Sequence, residues 1–206
     1  MHSGDKLAIV VPCSWDYVPI QFFQSFIQFD IPWQWSVVMP TRGRVDDLRN
    51  NAIAKIIENG SFNKILFLDT DHIFPPDTIK KLLSHNKDIV SGISFRRSEP
   101  YDPILFNFKE NSMEQITKWV DGELIEVGAV GAACLLVDIS VLKNISKNKW
   151  FEMNYKFGDG VISEDLAFCL KAKNAGYKVY VDTSCTNDHL GILHINKSVW
   201  EKHNNI

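Results

Sequence analysis

Lys64-Ile65-Leu66-Phe67-Leu68-Asp69-Thr70-Asp71 is the stretch on which the reading of this chain turns. Its apolar run is short and continuous rather than alternating, the pattern of a strand covered on both faces, as in a parallel sheet between helical layers. The run passes directly into two acids, so two carboxylates stand at the carboxyl end of the strand. In open α/β sheets ligands bind in the crevice beyond those ends. If the backbone stays extended through Thr70, residues i and i+2 point the same way, with Cα atoms about 7 Å apart from a rise of ~3.3 Å per residue.

Upstream, Leu7-Ala8-Ile9-Val10-Val11 is a second doubly buried strand, stopped by Pro12. Phe22, Phe23, Phe26 and Phe29 recur at helical spacing and predict one packed helix face, ended by Asp30-Ile31-Pro32. Residues 35–39 read as a strand, followed by a helix whose apolar face is Leu48, Ala52, Ile56 and Ile57 and which Gly60 ends. Downstream, Pro75-Pro76 starts a short helix through Leu82 and Leu83, and residues 88–93 form a strand. Segments 104–108 and 123–127, with the turn Asp121-Gly122 between them, belong to a more antiparallel half; 133–137 is a further buried strand. A helix over 163–175 closed by Gly176, then a strand over 178–182, completes the order. Alternating strands and helices followed by hairpin-like strands give an α/β fold with a mixed, mostly parallel central sheet flanked by helices.

The chain has 206 residues, 45% of them hydrophobic and 23% charged, and 22 basic against 25 acidic side chains leave a net charge of −3. That composition excludes disorder as the main state, and without a linker-like stretch one domain over 1–206 is expected. A slightly acidic chain with no basic tract has no electrostatic footprint for nucleic acid. The longest uncharged apolar stretch, 128–137, is ten residues, too short for a transmembrane segment, and Met1-His2-Ser3-Gly4-Asp5-Lys6 lacks the apolar core of a secretory signal. A soluble, cytoplasmic protein is expected. Cys13, Cys134, Cys169 and Cys185 are far apart with no C-x-x-C spacing, and read as reduced core thiols.

Asp69 and Asp71 suit a shared divalent cation. Hard oxygen ligands favour Mg²⁺ or Mn²⁺, ions that take their remaining ligands from water and substrate phosphates, so the implied ligand is a diphosphate. His189, just past the last strand, would add an imidazole and tilt the choice toward Mn²⁺; His194 follows it. Ser163-Glu164-Asp165 opens the late helix. Its acids either complement the helix dipole, with Ser163 as N-cap, or supply a general base, with Asp165 the first choice and Glu164 the second. Arg42, Arg44 and Arg49 follow a strand on the same side as the acids, and Arg96 and Arg97 come later; guanidinium forks match phosphates and carboxylates. Residues 147–160 mix lysines, aromatics and glycines, as a mobile lid, a sugar-stacking platform or an ordinary surface loop would.

These pieces in this order resemble a glycosyltransferase of the GT-A fold, near the family 2-like enzymes, from Leu7 to about Leu193. The resemblance makes Val10-Val11-Pro12-Cys13-Ser14-Trp15-Asp16 the nucleotide-binding loop, with Pro12, Ser14 and Asp16 at the donor, and sets Arg49-Asn50 on the motif of the next helix. It makes Asp69-Thr70-Asp71 the DxD motif that binds metal and sugar-nucleotide diphosphate. It also gives Ser163-Glu164-Asp165 the base, residues 128–137 the strand beside the acceptor, and His189 the metal-binding histidine. What it implies is transfer of a sugar from a UDP- or GDP-sugar donor to a glycan or other hydroxyl acceptor. Asp69, Asp71 and His189 would hold Mn²⁺ or Mg²⁺, Arg42, Arg49 and Thr70 would join the donor site, and Asp165 would activate the acceptor for inversion.

Two other classes stay in view. A nucleotidyltransferase acting on a sugar phosphate commonly carries a glycine-rich, basic loop after its first strand, and Pro12-Cys13-Ser14-Trp15-Asp16 has neither glycine nor lysine. A non-catalytic carbohydrate-binding module would not need both Asp69-Thr70-Asp71 and Glu164-Asp165. Donor base, acceptor and oligomeric state are not encoded in any recognisable motif.

Overall fold

The computed structural model describes residues 5–191 and residue 197; His194 and the end of the resemblance at Leu193 lie outside them. Its frame is one large sheet in the order β2-β1-β3-β10-β5-β13-β4, built from Gln34–Val38 (β2), Lys6–Val10 (β1), Lys64–Leu68 (β3), Cys134–Asp138 (β10), Ile89–Ser94 (β5), Val179–His189 (β13) and His72–Ile73 (β4). β1 runs parallel to β2 and β3, β5 runs parallel to β13, and β10 lies antiparallel between β3 and β5. Leu124–Val127 (β8) adds to the other side of β13.

Side-chain alternation explains why the strands read as continuous apolar runs. Leu7, Ile9, Leu66, Leu68 and Leu136 face one layer, while Ala8, Val10, Ile65, Phe67, Leu135 and Val137 face the other. Helices Ile20–Phe26 (α1) and Thr78–Ser84 (α3) cover the first face through Phe22, Ile79 and Leu82. Val45–Asn59 (α2), Ile139–Ile145 (α4) and Glu164–Asn174 (α5) cover the second, through Ile53, Leu142 and Phe168 among others. A small antiparallel sheet, β7-β6-β9 (Met113–Gln115, Leu105–Phe108, Ala129–Val130), packs on that second side. The mixed α/β architecture is the one the sequence led to.

Several local readings change. Phe23 is half exposed, because only Phe22, Phe26 and Phe29 of the aromatic stripe turn toward Phe74 and the sheet. Residues 147–160 are not one loop: Trp150 and Phe151 are core residues, and Tyr155–Phe157 (β11) pairs with Gly160–Ile162 (β12) as a hairpin. α4, which the sequence reading lacked, is capped by Asp138, whose side chain accepts from the Ser140 backbone N–H at 2.9 Å. All four cysteines are buried and free. Among the described residues, no helix is long and apolar enough to cross a membrane.

The strand expected over 178–182 continues to His189, which matters most for function. It pairs with β5 at Tyr180 and Val181, shifts register, and pairs again at Thr186 and Asn187. Gly92 permits the approach, since a Cβ there would stand 2.6 Å from the Cys185 carbonyl oxygen. Beyond β5 the strand then pairs antiparallel with β4, setting Asp188 opposite Ile73 and His189 opposite His72.

Candidate active site

β3 ends at Leu68 and residues 70–71 form a turn, so the extended geometry through Thr70 that would have aimed Asp69 and Asp71 at one spot does not occur. The two carboxylates take different partners. Asp69 Oδ1 accepts from Arg49 Nη2 at 2.6 Å, and Arg49 Nη1 donates to Glu164 Oε1 at 2.9 Å. Arg49 lies on α2, is only 2% exposed and packs over the Phe151 ring. Expected at the donor, it instead ties the acid after β3 to the acid that opens α5. Burial works against its charge, but Asp69, Glu164 and Asp165 outweigh that and hold its pKa above the usual arginine value. Burial and the neighbouring Asp165 push the Glu164 carboxyl up, against the pull of Arg49.

The next residue on α2, Asn50, fixes the other wall. Its Oδ1 accepts from the backbone N–H groups of Trp150 and Phe151, both at 3.0 Å, and its Nδ2 donates to the Phe151 carbonyl at 2.7 Å. Phe151 in turn stacks on Phe168 of α5 with centroids 4.9 Å apart. α2, the 150–151 segment and α5 are thereby locked around the Arg49 bridge. At the start of α5 the Ser163 hydroxyl bonds the Asp165 side chain rather than capping the backbone, and Asp165 Oδ1 accepts from the Leu166 N–H at 2.8 Å.

Asp71 goes to the ribbon made by β4 and β13. Oδ1 lies 2.9 Å from His72 Nδ1, and Oδ2 lies 3.3 Å from both His189 Nε2 and Arg97 Nη1. The ribbon also binds the turn, through the Leu190 N–H on the Asp71 carbonyl at 2.8 Å. Burial raises the Asp71 pKa, yet the hydrogen bonds with His189 and His72 dominate and hold the carboxyl well below the usual range.

Asp71, His72 and His189 form a group whose donor atoms all lie within 4.8 Å of one another. Asp69, expected on the ion, stands outside that group, and His72 was not foreseen. The donor chemistry fits a divalent cation. His189 Nδ1 lies 2.6 Å from the Phe95 carbonyl, so that nitrogen carries a hydrogen and Nε2 is the ring nitrogen turned toward Asp71 Oδ2. Asp71 Oδ2 thus gathers partners that carry or share positive charge, His189 Nε2 and the Arg97 guanidinium, and a divalent cation supplies the same complement.

The first loop is stitched to residues 40–42: the Cys13 N–H donates to the Pro40 carbonyl at 2.9 Å and the Arg42 N–H to the Cys13 carbonyl at 3.2 Å. Pro12 is buried, Ser14 and Asp16 are exposed, and Asp16 takes a two-pronged contact from Arg42 at 2.9 and 3.0 Å. Trp15 and Tyr17 stack beside it, 68% and 70% exposed, an aromatic surface that two residues without periodicity did not announce. Thr70 is half-buried. Arg44 pairs with Asp46, and Arg96 lies over the Phe106 ring.

Neither family models nor curated proteins match this sequence. Solved structures do. A197 from STIV aligns over 93% of this chain and 97% of its own, with TM-score 0.60 and 15% identity. S. aureus TarS 1–349 in complex with UDP-GlcNAc aligns over 93% of this chain with TM-score 0.54 and 14% identity. GalNAc-T7 with UDP, GalNAc and Mn²⁺ aligns over 92% with TM-score 0.56 and 8% identity. The chain spans 60% of the TarS fragment and 44% of GalNAc-T7. At such identities the likeness speaks for architecture, and the architecture is the GT-A fold.

Proposed function

We propose that this protein transfers a sugar from a nucleoside-diphosphate donor to a hydroxyl acceptor with inversion, assisted by Mn²⁺ or Mg²⁺. The observation that carries the reading is the Arg49 bridge. It fixes Asp69 and Glu164 side by side at the carboxyl end of β3, with Asp71, on the turn that follows, paired to His189 at the end of β13. Asp71 Oδ2 and His189 Nε2 would hold the ion, which when bound supplies positive charge to the departing diphosphate.

Asp165 is the base. Its Oδ1 is engaged by Leu166 and Ser163, which orients the carboxylate and leaves Oδ2 to take the proton of the acceptor hydroxyl. As that oxygen bonds to the anomeric carbon, the bond from that carbon to the diphosphate oxygen breaks and the nucleoside diphosphate leaves. Pro12, Ser14 and Asp16 shape the donor loop, Arg42 steadies it through Asp16, and Arg97, largely exposed, is free to exchange Asp71 for a phosphate. Asp69 and Thr70, between the Arg49 bridge and the Asp71–His189 pair, would line the donor diphosphate.

Thermal unfolding with a panel of nucleoside diphosphates, each with and without Mn²⁺, tests the reading. A ligand at 100 times its Kd adds about 2.7 kcal/mol. Stabilisation by one diphosphate only when metal is present is the expected result, and it names the donor base. Response to a nucleoside triphosphate alone, with pyrophosphate released from it, would replace this reading by nucleotidyl transfer.

A further inference from the structure

We infer that His72 is a positioning residue, holding Asp71 and His189 in register for the ion without ligating it; this rests on the ion-binding reading above. The His72 and His189 rings stack with centroids 4.1 Å apart and planes 22° from parallel. A ring nitrogen's lone pair lies in the plane of its ring, so two stacked imidazoles aim their lone pairs side by side and cannot converge on one ion. Of the two, His189 is the ligand. Its Nδ1–H is tied to the Phe95 carbonyl, and its Nε2 faces Asp71 Oδ2.

His72 does different work. Its Nδ1 sits 2.9 Å from Asp71 Oδ1, the oxygen away from His189, so the N–H there sets the rotation of the carboxylate and leaves Oδ2 toward the ion. The His72 ring is a spacer in a three-ring stack, between His189 and Phe74, whose centroid is 6.1 Å away at 22°. His72 is 2% exposed and its Nε2 has no hydrogen-bond partner. A buried polar atom without a partner is a stability cost that a phenylalanine of similar shape would avoid. Packing alone therefore does not account for an imidazole at this position; the Nδ1 donor does.

Three variants separate donor, ring and ligand. His72→Phe keeps the stack and removes the donor, His72→Asn keeps an N–H near the Nδ1 position, and His72→Gln moves it toward the Nε2 position. Mn²⁺ binding to the full chain without donor, followed by the electron paramagnetic resonance signal of free Mn²⁺, is the readout, with unfolding midpoints taken without metal. His72→Phe is expected to weaken Mn²⁺ about ten- to a hundredfold while its metal-free unfolding stays cooperative, the lost contact to Asp71 being offset in part by removal of the unpartnered Nε2. His72→Asn should recover most of that affinity and His72→Gln little of it. In turnover assays the Mn²⁺ concentration for half-maximal rate should rise in step, while the rate at saturating Mn²⁺ changes little. Parent-like Mn²⁺ affinity in His72→Phe overturns the positioning role, and so does equal loss in Phe, Asn and Gln variants, which would make His72 a ligand. A parent chain that binds no Mn²⁺ overturns the ion-binding reading itself, and this one with it.

Discussion

Arg49 Nη2 lies 2.6 Å from Asp69 Oδ1, in a side chain that is 2% exposed. The carboxylate that leaves the central strand is thus fixed by a buried cation from α2, and the same cation reaches Glu164 at 2.9 Å. Removing one partner of a buried pair leaves the others uncompensated, whereas removing the charges together is far milder.

Arg49→Met should therefore destabilise the fold by about 3–5 kcal/mol, read as a lower midpoint in urea unfolding. Adding Asp69→Asn and Glu164→Gln to it should restore much of the loss. If the triple variant is no more stable than Arg49→Met, the cost is lost packing on Phe151 and not stranded charge.

Asp71→Asn and His189→Ala should each abolish the Mn²⁺-dependent part of stabilisation by a nucleoside diphosphate. The expected loss is about 2.7 kcal/mol at 100 times the parent Kd. Paired thermal scans with and without metal measure it, and a shift that survives both substitutions would move the ion elsewhere.

Asp165→Asn should lower turnover by about 10²–10⁴, as for a lost general base, while the diphosphate-induced thermal shift stays. Initial rates and thermal scans on the same preparation decide it. An unchanged rate with weaker donor binding would assign Asp165 to the ground state instead.

Asp138 offers a test of pH dependence away from the site. Burial raises its pKa, but hydrogen bonds from Ser140 and the Lys64 ammonium prevail and leave it below the ordinary value. A carboxyl with a depressed folded pKa stabilises above its unfolded value, near 3.9, and loses that contribution as pH falls through the folded one. Asp138→Ala should cost about 1 kcal/mol or more at pH 7, since it removes the cap of α4 and a partner of buried Lys64. The gap between parent and variant in denaturant midpoints should narrow below about pH 4. A gap that widens in acid would contradict the assigned sign.

The strands around Leu7 and Lys64 and the helix around Leu48 were legible because each is decided by its own run of side chains: continuous apolar residues for strands covered on both faces, spaced ones for the helix; the late helix was legible from its acidic start at Ser163-Glu164-Asp165 and its closing Gly176. The acids were legible for the same reason, since Asp69 and Asp71 follow the strand that defines the sheet. Trp150 and Phe151 were not. Their burial depends on Asn50, a hundred positions away, whose amide satisfies their backbone groups.

What the sequence by itself determined is the α/β class and the end of the sheet at which acids collect, because burial on one or both faces imprints a period on local residues. Tertiary structure alone decided which acid meets which partner. His189 reaches Asp71 because β13 runs past β5, shifts register beside Gly92 and pairs with a two-residue strand at His72. Asp71 parts from Asp69, which stays on Arg49, because the chain turns at residues 70–71. Register shifts, turns and cross-sheet pairings join positions far apart in the chain, and they leave no period in either partner's sequence.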